Sequence, residues 1–297
     1  MDIDLSVITV NYNGLNDTCA LIDTIPFDDE YSLEVIVVDN ASKADEASEI
    51  ARRYPQVRVL RSETNLGFAG GNNIGIRAAR GSHLFLINND TVFKQFNVKA
   101  LIERLDSSSA VGMVCPKIRF SWDDNPIQYA GYTPLTPVTL RNNSIGYGEK
   151  DTGQYDTAHT TPYAHGAAMM VKREVVERVG LLPECFFLYY EELDWSMMIT
   201  RAGYEIWYEP RATIYHKESR STGQDSPLKI YYITRNRLLL ARRNVSGLHR
   251  YAAYCYLIFL SAPARIVRHL LARHPQLAHA VVRGVSDFLL KKQTKTA

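Results

Sequence analysis

The stretch His83-Leu84-Phe85-Leu86-Ile87-Asn88-Asn89-Asp90-Thr91 decides how the chain folds. Its four consecutive apolar residues, 84–87, are typical of a strand that is buried on both faces of a sheet. Two amides, a carboxylate and a hydroxyl follow directly, where this strand reaches its carboxyl end. Open α/β sheets bind ligands just outside such strand ends, and a carboxylate there is suited to hold a divalent cation against phosphate oxygens. A polar turn leaving a core strand is the alternative, and for this stretch alone it is the more frequent case.

Strands and helices alternate along the chain on both sides of this stretch. Apolar and β-branched runs predict strands at 5–10, 33–38, 57–60, 84–87, 111–116, 165–171, 206–208 and 212–215. Helices are predicted over 17–24, 43–54, 76–80, 95–107, 173–180, 193–202 and 225–244, with Ser42 as the N-cap of the second. Such alternation favours parallel strands joined by right-handed crossovers. Residues 117–161 predict hairpins and loops.

Polar or glycine-rich residues follow each of the first three predicted strands. The first strand leads into Asn11-Tyr12-Asn13-Gly14 and the second into Asp39-Asn40-Ala41-Ser42, while the segment 64–75 follows the third. The glycines of segment 64–75 would let the backbone approach a ligand closely, and the start of the following helix favours anions. The segment does not match the dinucleotide fingerprint, because that motif follows the first strand. A glycine-rich connector without a ligand is an equally good interpretation.

Three acids open a predicted helix directly after an aromatic run, in Phe186-Phe187-Leu188-Tyr189-Tyr190-Glu191-Glu192-Leu193-Asp194-Trp195. Acids in a first helical turn stabilise the helix dipole, which is a purely structural explanation. Aromatic neighbours would also raise a carboxyl pKa toward the range useful to a general base. The residues alone leave both interpretations open.

Two further polar side chains are candidates for ligand contacts. His216 follows the last predicted strand in a polar loop, where a single histidine is more often structural than a ligand. Arg235, close to Arg237 on a predicted basic helix, could meet phosphate or acidic lipid, although solvated helix charges are the default.

Composition and charge limit the class of protein. The 297 residues are 46% hydrophobic and 22% charged, as in soluble globular proteins. The four cysteines form no CxxC pair, which argues against a zinc site and favours a reducing compartment. The amino terminus lacks the apolar core of a signal peptide, so we expect a cytoplasmic protein.

The carboxyl-terminal segment 245–297 differs in character from residues 1–244. From Arg242 onward the chain has ten Lys and Arg residues and one acid, Asp287. Its apolar, basic stretches are too short to span a bilayer, and they predict helices that lie at the inner face of the cell membrane. Packing on the body, or on a second copy in a homodimer, is an equally good interpretation. Nucleic acid is not expected as a partner, because the Lys and Arg residues are concentrated in an apolar tail rather than on a recognition helix.

Taken in order, these motifs resemble family two of the nucleotide-sugar glycosyltransferases, which have the GT-A fold, and in particular its bacterial rhamnosyltransferase-like branch. The resemblance rests on six matches between residues 5 and 244: 10–14, 38–42, 65–72, 88–90, 190–194 and His216. It implies a Rossmann-like α/β domain over 1–244, with a mostly parallel sheet flanked by helices and a helical extension over 245–297.

The resemblance also assigns roles to residues. It implies that Asp90 binds Mg²⁺ or Mn²⁺ with His216, and that Glu192 is the catalytic base. Asn88 replaces the first carboxylate of the family's DxD motif, which makes the metal site less negative. Because the family usually has Asp at the base position, Glu191 and Asp194 remain rivals. The expected substrate contacts are Thr9, Asn11, Tyr12, Asn13, Asp39, Asn40, Asn65, Gly67, Phe68, Ala69, Gly70, Asn72, Asn73, Asn88, Asn89, His165, Gly166 and Arg235.

The expected reaction is inverting transfer of a sugar from a nucleoside-diphosphate sugar to a hydroxyl of a glycan or lipid-linked glycan in cell-surface polysaccharide synthesis, including O-antigen. By resemblance the donor is dTDP-L-rhamnose; UDP-galactofuranose, UDP-glucose and N-acetylhexosamine donors are alternatives. A catalytically silent sugar-nucleotide-binding protein is another alternative. Glycoside hydrolysis is disfavoured, because hydrolases need no diphosphate cradle. The transferase hypothesis requires Asp90 and Glu192 to face one crevice.

Overall fold

The computed structural model describes residues 3–27, 31–218 and 226–291. The predicted helix start at Asp225 lies outside these ranges. So does the end of the tail, 292–297, with its two lysines. Ten strands form one sheet: β1 Leu5–Asn11, β2 Leu33–Asp39, β3 Arg58–Arg61, β4 His83–Ile87, β5 Thr91–Val92, β6 Val111–Phe120, β7 Ile127–Tyr129, β8 His159–Thr160, β9 Ala168–Lys172 and β10 Glu205–His216. The helices are α1 Leu15–Ile22, α2 Glu46–Arg53, α3 Gly67–Ala78, α4 Val98–Asp106, α5 Arg173–Val179, α6 Glu191–Arg201, α7 Pro227–Asn244, α8 Gly247–Cys255, α9 Ala262–Leu271 and α10 Pro275–Leu289.

The main path of the sheet has the strand order β3-β2-β1-β4-β9-β6-β10-β5, which confirms an α/β fold with flanking helices. Strands β3, β2, β1 and β4 are parallel, as the alternation of elements predicts. Strand β9 lies between β4 and β6 and is antiparallel to both, and β5 is antiparallel to β10. The sheet is therefore mixed, although most strands on the path share one direction.

The register of the parallel strands brings their polar carboxyl ends together. Asn11 pairs with Asp39 across β1 and β2, and Ile8 pairs with Leu86 across β1 and β4. The five residues of β4 are all buried, as expected for a central strand. The segments that follow β1, β2 and β4 therefore meet at one edge of the sheet.

The glycine-rich segment forms a helix rather than the predicted loop, since α3 begins at Gly67 and includes most of it. A Cβ on Gly75 would lie 2.3 Å from Ile8 Cγ2, and one on Gly71 would lie 2.8 Å from Val10 Cγ1. These two glycines thus allow α3 to pack closely on β1. Close helix–sheet packing explains a composition that resembles a flexible connector.

Other predicted boundaries also differ from the structure. Helix α2 is capped by Asp45, whose side chain accepts from Ser48 N, and not by Ser42. The two short strands predicted at 206–215 form the single strand β10, which is irregular between Glu209 and Thr213. Pro210 lies in that irregularity and has no N–H to donate to a neighbouring strand.

The carboxyl-terminal segment folds as helices on α7. Between α8 and α9, residues Tyr256–Ser261 form a π-helical segment. Helix α10 packs closely on α7: a Cβ on Gly284 would lie 2.9 Å from Tyr231 O, and Tyr231 donates to Asp287 at 3.0 Å. No helix in the described ranges is long and apolar enough to cross a membrane.

Candidate active site

The ends of β1 and β2 form a buried polar cluster. Asn11 donates to Asp39 Oδ1 at 2.9 Å and to Glu46 Oε2 at 2.8 Å, and its carbonyl accepts from Thr18 at 2.7 Å. Within the described residues, neither Asp39 Oδ2 nor Thr9 Oγ1 has a hydrogen-bond partner, although both are buried. Buried polar atoms without partners are costly. These two oxygens are therefore suited to receive N–H or O–H groups of a bound nucleoside.

The residues next to this cluster hold the local backbone. Asn13 has φ +52°, and its N–H donates to Ser42 Oγ at 2.9 Å. Its side-chain carbonyl accepts from Lys43 N at 2.9 Å. Tyr12 is exposed beside it. Asn89 donates to the Thr18 hydroxyl at 3.0 Å and so links the segment after β4 to Asn11.

Asn40 fixes the turn that starts α3. Its amide donates to Asn65 Oδ1 at 3.0 Å and to Gly67 O at 3.1 Å, while its carbonyl accepts from Leu66 N at 3.0 Å. Asn73 ties α3 to the segment before α6, because it donates to Leu182 O at 2.9 Å. These amides have structural partners, so we do not propose them as ligand contacts.

The remaining candidates on α3 divide into two groups. Ala69 and Gly70 are packed inside the protein, and Asn72 is buried and donates to Phe68 O at 2.9 Å. Phe68 is only partly buried, and its N–H donates to Phe187 O at 2.8 Å. Phe68 is therefore the side chain of this helix that we carry forward to the site.

Asp90 and His216 form a buried pair at the same edge of the sheet. Asp90 Oδ1 lies 3.1 Å from His216 Nε2, and the antiparallel pairing of Thr91 with His216 holds the two segments together. Gln128 Oε1 lies 2.8 Å from His216 Nδ1 and can accept a hydrogen bond from its N–H. The ring thereby turns Nε2 toward Asp90, and Asn88 Nδ2 lies 3.5 Å from that nitrogen.

This pair fits a divalent cation that takes its other ligands from elsewhere. A carboxylate oxygen and an imidazole nitrogen converge there. Mn²⁺ binds both kinds of donor, and Mg²⁺ binds the carboxylate. Among the described residues, no group of three or more His, Cys, Asp and Glu side chains could hold a metal ion. Diphosphate oxygens and water would have to complete the coordination.

The acids at the start of α6 occupy three different environments. Glu191 is buried, and its Oε2 has no partner within the described part of the chain, while Glu192 is only partly buried. Burial raises the pKa of Glu192 to about 7. Burial, together with the negative charge of Glu192, raises the pKa of Glu191 well above its usual value. Both environments therefore favour the neutral form of the carboxyl group, and Glu192 is the one that titrates near neutrality.

Asp194 is tied to α7 instead. It is fully buried, and its two oxygens accept from Arg243 at 3.0 and 2.9 Å and also from Asn244. A carboxylate bound on both oxygens is a poor acceptor for a substrate proton. We therefore keep Glu192, and not Asp194, as the base candidate.

A strained loop presents these acids. Phe187, Tyr189 and Tyr190 have φ values of +69°, +69° and +79°, a region that bulky residues avoid at roughly 1–3 kcal/mol each. Asn236 on α7 donates to Leu188 O at 2.8 Å and lies 2.9 Å from Phe186 O and 3.0 Å from Tyr189 O. Helix α7 therefore holds the loop in place.

Arg235 takes part in the same support. It is 4% exposed, donates to Cys185 O and lies over the Tyr232 ring at 5.5 Å. The sequence predicts a phosphate or lipid contact for this residue, but its described contacts are with Cys185 O in the loop and with tyrosines of α7. We do not propose it as a ligand contact.

We predict that Asn236→Ala destabilises the protein by about 1–3 kcal/mol, because it leaves buried carbonyls unpaired. Urea unfolding measures this change in the free energy of unfolding. Leu228→Ala, at a half-exposed position on the same helix, is the matched control and should change stability by less than about 0.5 kcal/mol. Equal losses in the two variants would contradict a role for Asn236 in holding the loop.

His165 and Gly166 connect the acids to the Asp90–His216 pair. The rings of His165 and His216 are 6.3 Å apart, and His165 stacks on Tyr132 at 6.0 Å. A Cβ on Gly166 would lie 3.7 Å from Glu192 Cγ and 3.8 Å from the Phe68 ring. Burial, and then the neighbouring His216, lower the pKa of His165 to about 3, so its ring is neutral. The predicted metal ligands and the predicted base thus border one continuous group of side chains.

Several residues of this site carry no motif in the sequence. Gln128 lies in the segment 117–161, for which the sequence predicts only hairpins and loops. Asn236 belongs to a helix whose charged residues are predicted to be exposed to solvent. Tyr132 stacks on His165 from the same loop region. A pattern in the chain could not have found these residues, because each acts on a partner distant in sequence.

The fold, with a buried polar cluster, a carboxylate–imidazole pair and a carboxyl group of raised pKa at one edge of its sheet, is that of a GT-A glycosyltransferase. Residues 6–180 match the model of Glycosyl transferase family 2, and the chain belongs to that family.

Relatives and solved structures agree with this assignment. The chain is 28% identical over 243 residues to the low-salt glycan biosynthesis hexosyltransferase Agl10 of Haloferax volcanii, covering 80% of this chain and 75% of that protein. It is 23% identical over 249 residues to the N-acetylglucosaminyl-diphospho-decaprenol L-rhamnosyltransferase of Mycobacterium tuberculosis, covering 74% and 78%. The mannosyltransferase PcManGT of Pyrobaculum calidifontis, solved with GDP-Man and Mn²⁺, has the same fold with a TM-score of 0.60 at 17% identity, covering 98% of this chain and 88% of that one.

Proposed function

We propose that this glycosyltransferase transfers L-rhamnose from dTDP-L-rhamnose to a hydroxyl group and inverts the anomeric centre. The acceptor is a glycan or a lipid-linked glycan, and the product is a cell-surface polysaccharide such as O-antigen. One observation carries the reaction type: a carboxyl group with a pKa of about 7 lies beside Gly166, and His165 links it to the Asp90–His216 pair. The choice of sugar is supported by the rhamnosyltransferase relative and by the motif resemblance.

In the proposed step, ionised Glu192 removes the proton of the acceptor hydroxyl. The acceptor oxygen forms a bond to the anomeric carbon, while the bond from that carbon to the diphosphate oxygen breaks. The electron pair of the broken bond leaves with the nucleoside diphosphate. Burial and the charge of Glu192 raise the pKa of Glu191 well above its usual value, which favours its neutral form and leaves Glu192 as the ionised carboxylate.

The other residues bind and orient the donor. Asp39 and Thr9 would accept hydrogen bonds from the nucleoside, and Phe68 and Gly166 would border the sugar. Asp90 and His216 would hold Mg²⁺ or Mn²⁺. When bound, such an ion stabilises charge on the leaving diphosphate. The neutral ring of His165 accepts from Ala167 N at Nδ1, at 3.1 Å, so its Nε2 carries the proton and can donate.

We predict that kcat/KM falls as the pH drops below about 7, by about tenfold per pH unit, because protonated Glu192 cannot act as a base. The rate should be constant above that pH until another group titrates. The profile is measured with saturating Mn²⁺ at each pH, so that loss of metal does not contribute. A flat profile from about one pH unit below neutrality to about one unit above it would contradict the role of Glu192 as the base.

A donor panel tests the proposed function. The protein is incubated with Mn²⁺ and dTDP-L-rhamnose, UDP-galactofuranose, UDP-glucose or UDP-N-acetylglucosamine, and nucleoside diphosphate release is followed with and without a glycan acceptor. We expect release that depends on the acceptor and is fastest with dTDP-L-rhamnose. Binding without release would identify a catalytically silent protein. Fastest release with another donor would reassign the sugar.

We further propose that the tail places the enzyme at an anionic membrane surface, on the inner face of the cell membrane. Large apolar side chains are exposed along α8 to α9, including Leu248 at 85%, Phe259 at 71% and Leu271 at 81%. The one acid between residues 245 and 291, Asp287, is buried, whereas Arg268 and Arg273 are exposed. Apolar side chains beside basic ones favour a helix lying on anionic lipid.

We predict that Phe259→Ser with Leu271→Ser weakens binding to phosphatidylglycerol vesicles by about tenfold or more, since each change removes roughly 1.5–3 kcal/mol of apolar burial. Vesicle co-sedimentation of the full chain measures the effect. Tyr147→Ser, which removes an exposed aromatic residue outside the tail, is the control. Unchanged vesicle binding, with a dimer that the double variant dissociates, would assign this face to a homodimer instead.

A further inference from the structure

Four arginines from three separate segments lie close together, and one of them contacts the loop that presents Glu192. We call them the arginine cluster: Arg141, Arg237, Arg265 and Arg268. Arg237 on α7 donates to the hydroxyl of Tyr190, the residue directly before the two glutamates, at 2.9 Å. Arg265 on α9 donates to Thr234 on α7 at 2.9 Å. Thr234, Arg237 and Arg265 line one small cavity.

Within the described part of the chain, the cluster has no acidic partner. Among the ion pairs of residues 3–27, 31–218 and 226–291, none involves a member of the cluster. Burial, and next the positive charge of Arg237, lower the pKa of Arg265, with further contributions from Arg141 and Arg268. Cations held together without a counter-ion repel one another, and an anion would relieve that repulsion.

An apolar groove adjoins the cluster. Its volume is about 380 Å³, and it is lined by Ile258, Ala262, Pro263, Ile266, Val282, Val285, Ser286, Leu289 and Leu290. Ala262 also lines the small cavity that Arg237 and Arg265 line, so the groove and the cavity share one lining residue. An anion site with an apolar groove next to it fits a ligand with a charged head and a hydrocarbon tail.

We propose that the arginine cluster binds the diphosphate of a prenyl-diphosphate-linked acceptor and that the apolar groove holds its hydrocarbon chain. This inference rests on the glycosyl transfer proposed above and names the class of its acceptor. Guanidinium groups bind phosphate oxygens in pairs. The position of Arg237 on Tyr190 brings such a diphosphate close to the loop that carries the base. The glycan attached to it can then reach Glu192.

The probe for this site is farnesyl diphosphate, titrated by calorimetry into the full chain in buffer that contains EDTA. Without metal, a diphosphate cannot bridge to Asp90 and His216. We expect Arg265→Gln and Arg268→Gln each to raise the Kd by about tenfold, and the double variant by about a hundredfold. Arg273→Gln removes a charge just beyond the same helix, outside the cluster, and should leave the Kd unchanged.

Further ligands separate the two halves of the site. Inorganic pyrophosphate should bind more weakly than farnesyl diphosphate, and its binding should depend on the arginines. Ile266→Ser should weaken farnesyl diphosphate binding but not pyrophosphate binding. Binding of nucleoside diphosphate with Mn²⁺ reports that each variant is folded, and Arg268→Gln provides an exposed position if Arg265→Gln does not fold.

Three results would overturn the proposal. The first is that farnesol binds as tightly as farnesyl diphosphate, and the second is that the double variant binds farnesyl diphosphate as tightly as the unmodified protein does. The third is that the double variant loses affinity for phosphatidylglycerol vesicles and for farnesyl diphosphate by the same factor. The last result would make the cluster a general lipid-headgroup contact. Failure of every donor to release nucleoside diphosphate would instead end the glycosyl-transfer proposal and leave these binding results standing.

Discussion

Glu192→Gln is expected to lower kcat by about 10²–10⁴-fold, while the Kd of the donor stays near that of the unmodified enzyme. The amide has nearly the shape of the carboxyl group but cannot take the acceptor proton. Because Glu192 belongs neither to the Asp39 cluster nor to the Asp90–His216 pair, which would hold the nucleoside diphosphate, donor binding should depend little on its charge. Rapid-quench turnover and donor calorimetry measure the two quantities separately.

Glu174→Gln is the matched control, since Glu174 is an exposed acid in the first turn of α5. Glu191→Gln separates the two neighbouring glutamates. Because burial and the charge of Glu192 favour the neutral form of Glu191, replacing Glu191 by an amide changes the charge of the site little and should cost much less turnover than Glu192→Gln. Turnover close to normal in Glu192→Gln, with the large loss in Glu191→Gln, would transfer the role of base to Glu191.

Asp90→Asn is expected to weaken Mn²⁺ binding in the presence of nucleoside diphosphate by about a hundredfold or more. Even residues that only orient a metal ligand change affinity by about 10–100-fold, and Asp90 would contribute the one carboxylate, since Asn88 supplies no charge. We expect kcat/KM to fall by about 10²–10³-fold when subsaturating metal is used. Electron paramagnetic resonance of free Mn²⁺ measures the affinity directly.

Asp106→Asn serves as the control for this change. Asp106 pairs with His83 at the start of β4, so it lies at the opposite end of that strand from Asp90. A metal titration of Asp90→Asn that overlays the titration of the control would exclude Asp90 as a ligand. Gln128→Leu offers an independent check, because it keeps both proposed ligands, Asp90 and His216, but removes the hydrogen-bond partner of His216 Nδ1, and it should weaken Mn²⁺ binding less than Asp90→Asn does.

The difference between expected and observed structure is clearest in the glycine-rich segment 64–75. Its composition predicts a loop that approaches a ligand, whereas Gly71 and Gly75 serve to pack α3 on β1. A glycine is equally compatible with a mobile turn and with a tightly packed helix. Only the position of the neighbouring strand decides between them. The same limit applies to Asn40 and Asn73, whose amides hydrogen-bond to Asn65, Gly67, Leu182 and Glu184, partners that the sequence did not indicate.

The sequence by itself determined the α/β class, the buried strand β4 and the polar residues at the strand ends. These properties follow from local periodicity and from the residue types at each strand terminus, which are encoded within a few positions. The tertiary structure decided which side chains act together. Asp90 meets His216, Gln128 turns its ring, and the three acids of α6 acquire different environments. Burial and charge depend on partners such as Arg243, distant along the chain, and spacing within a motif does not encode them.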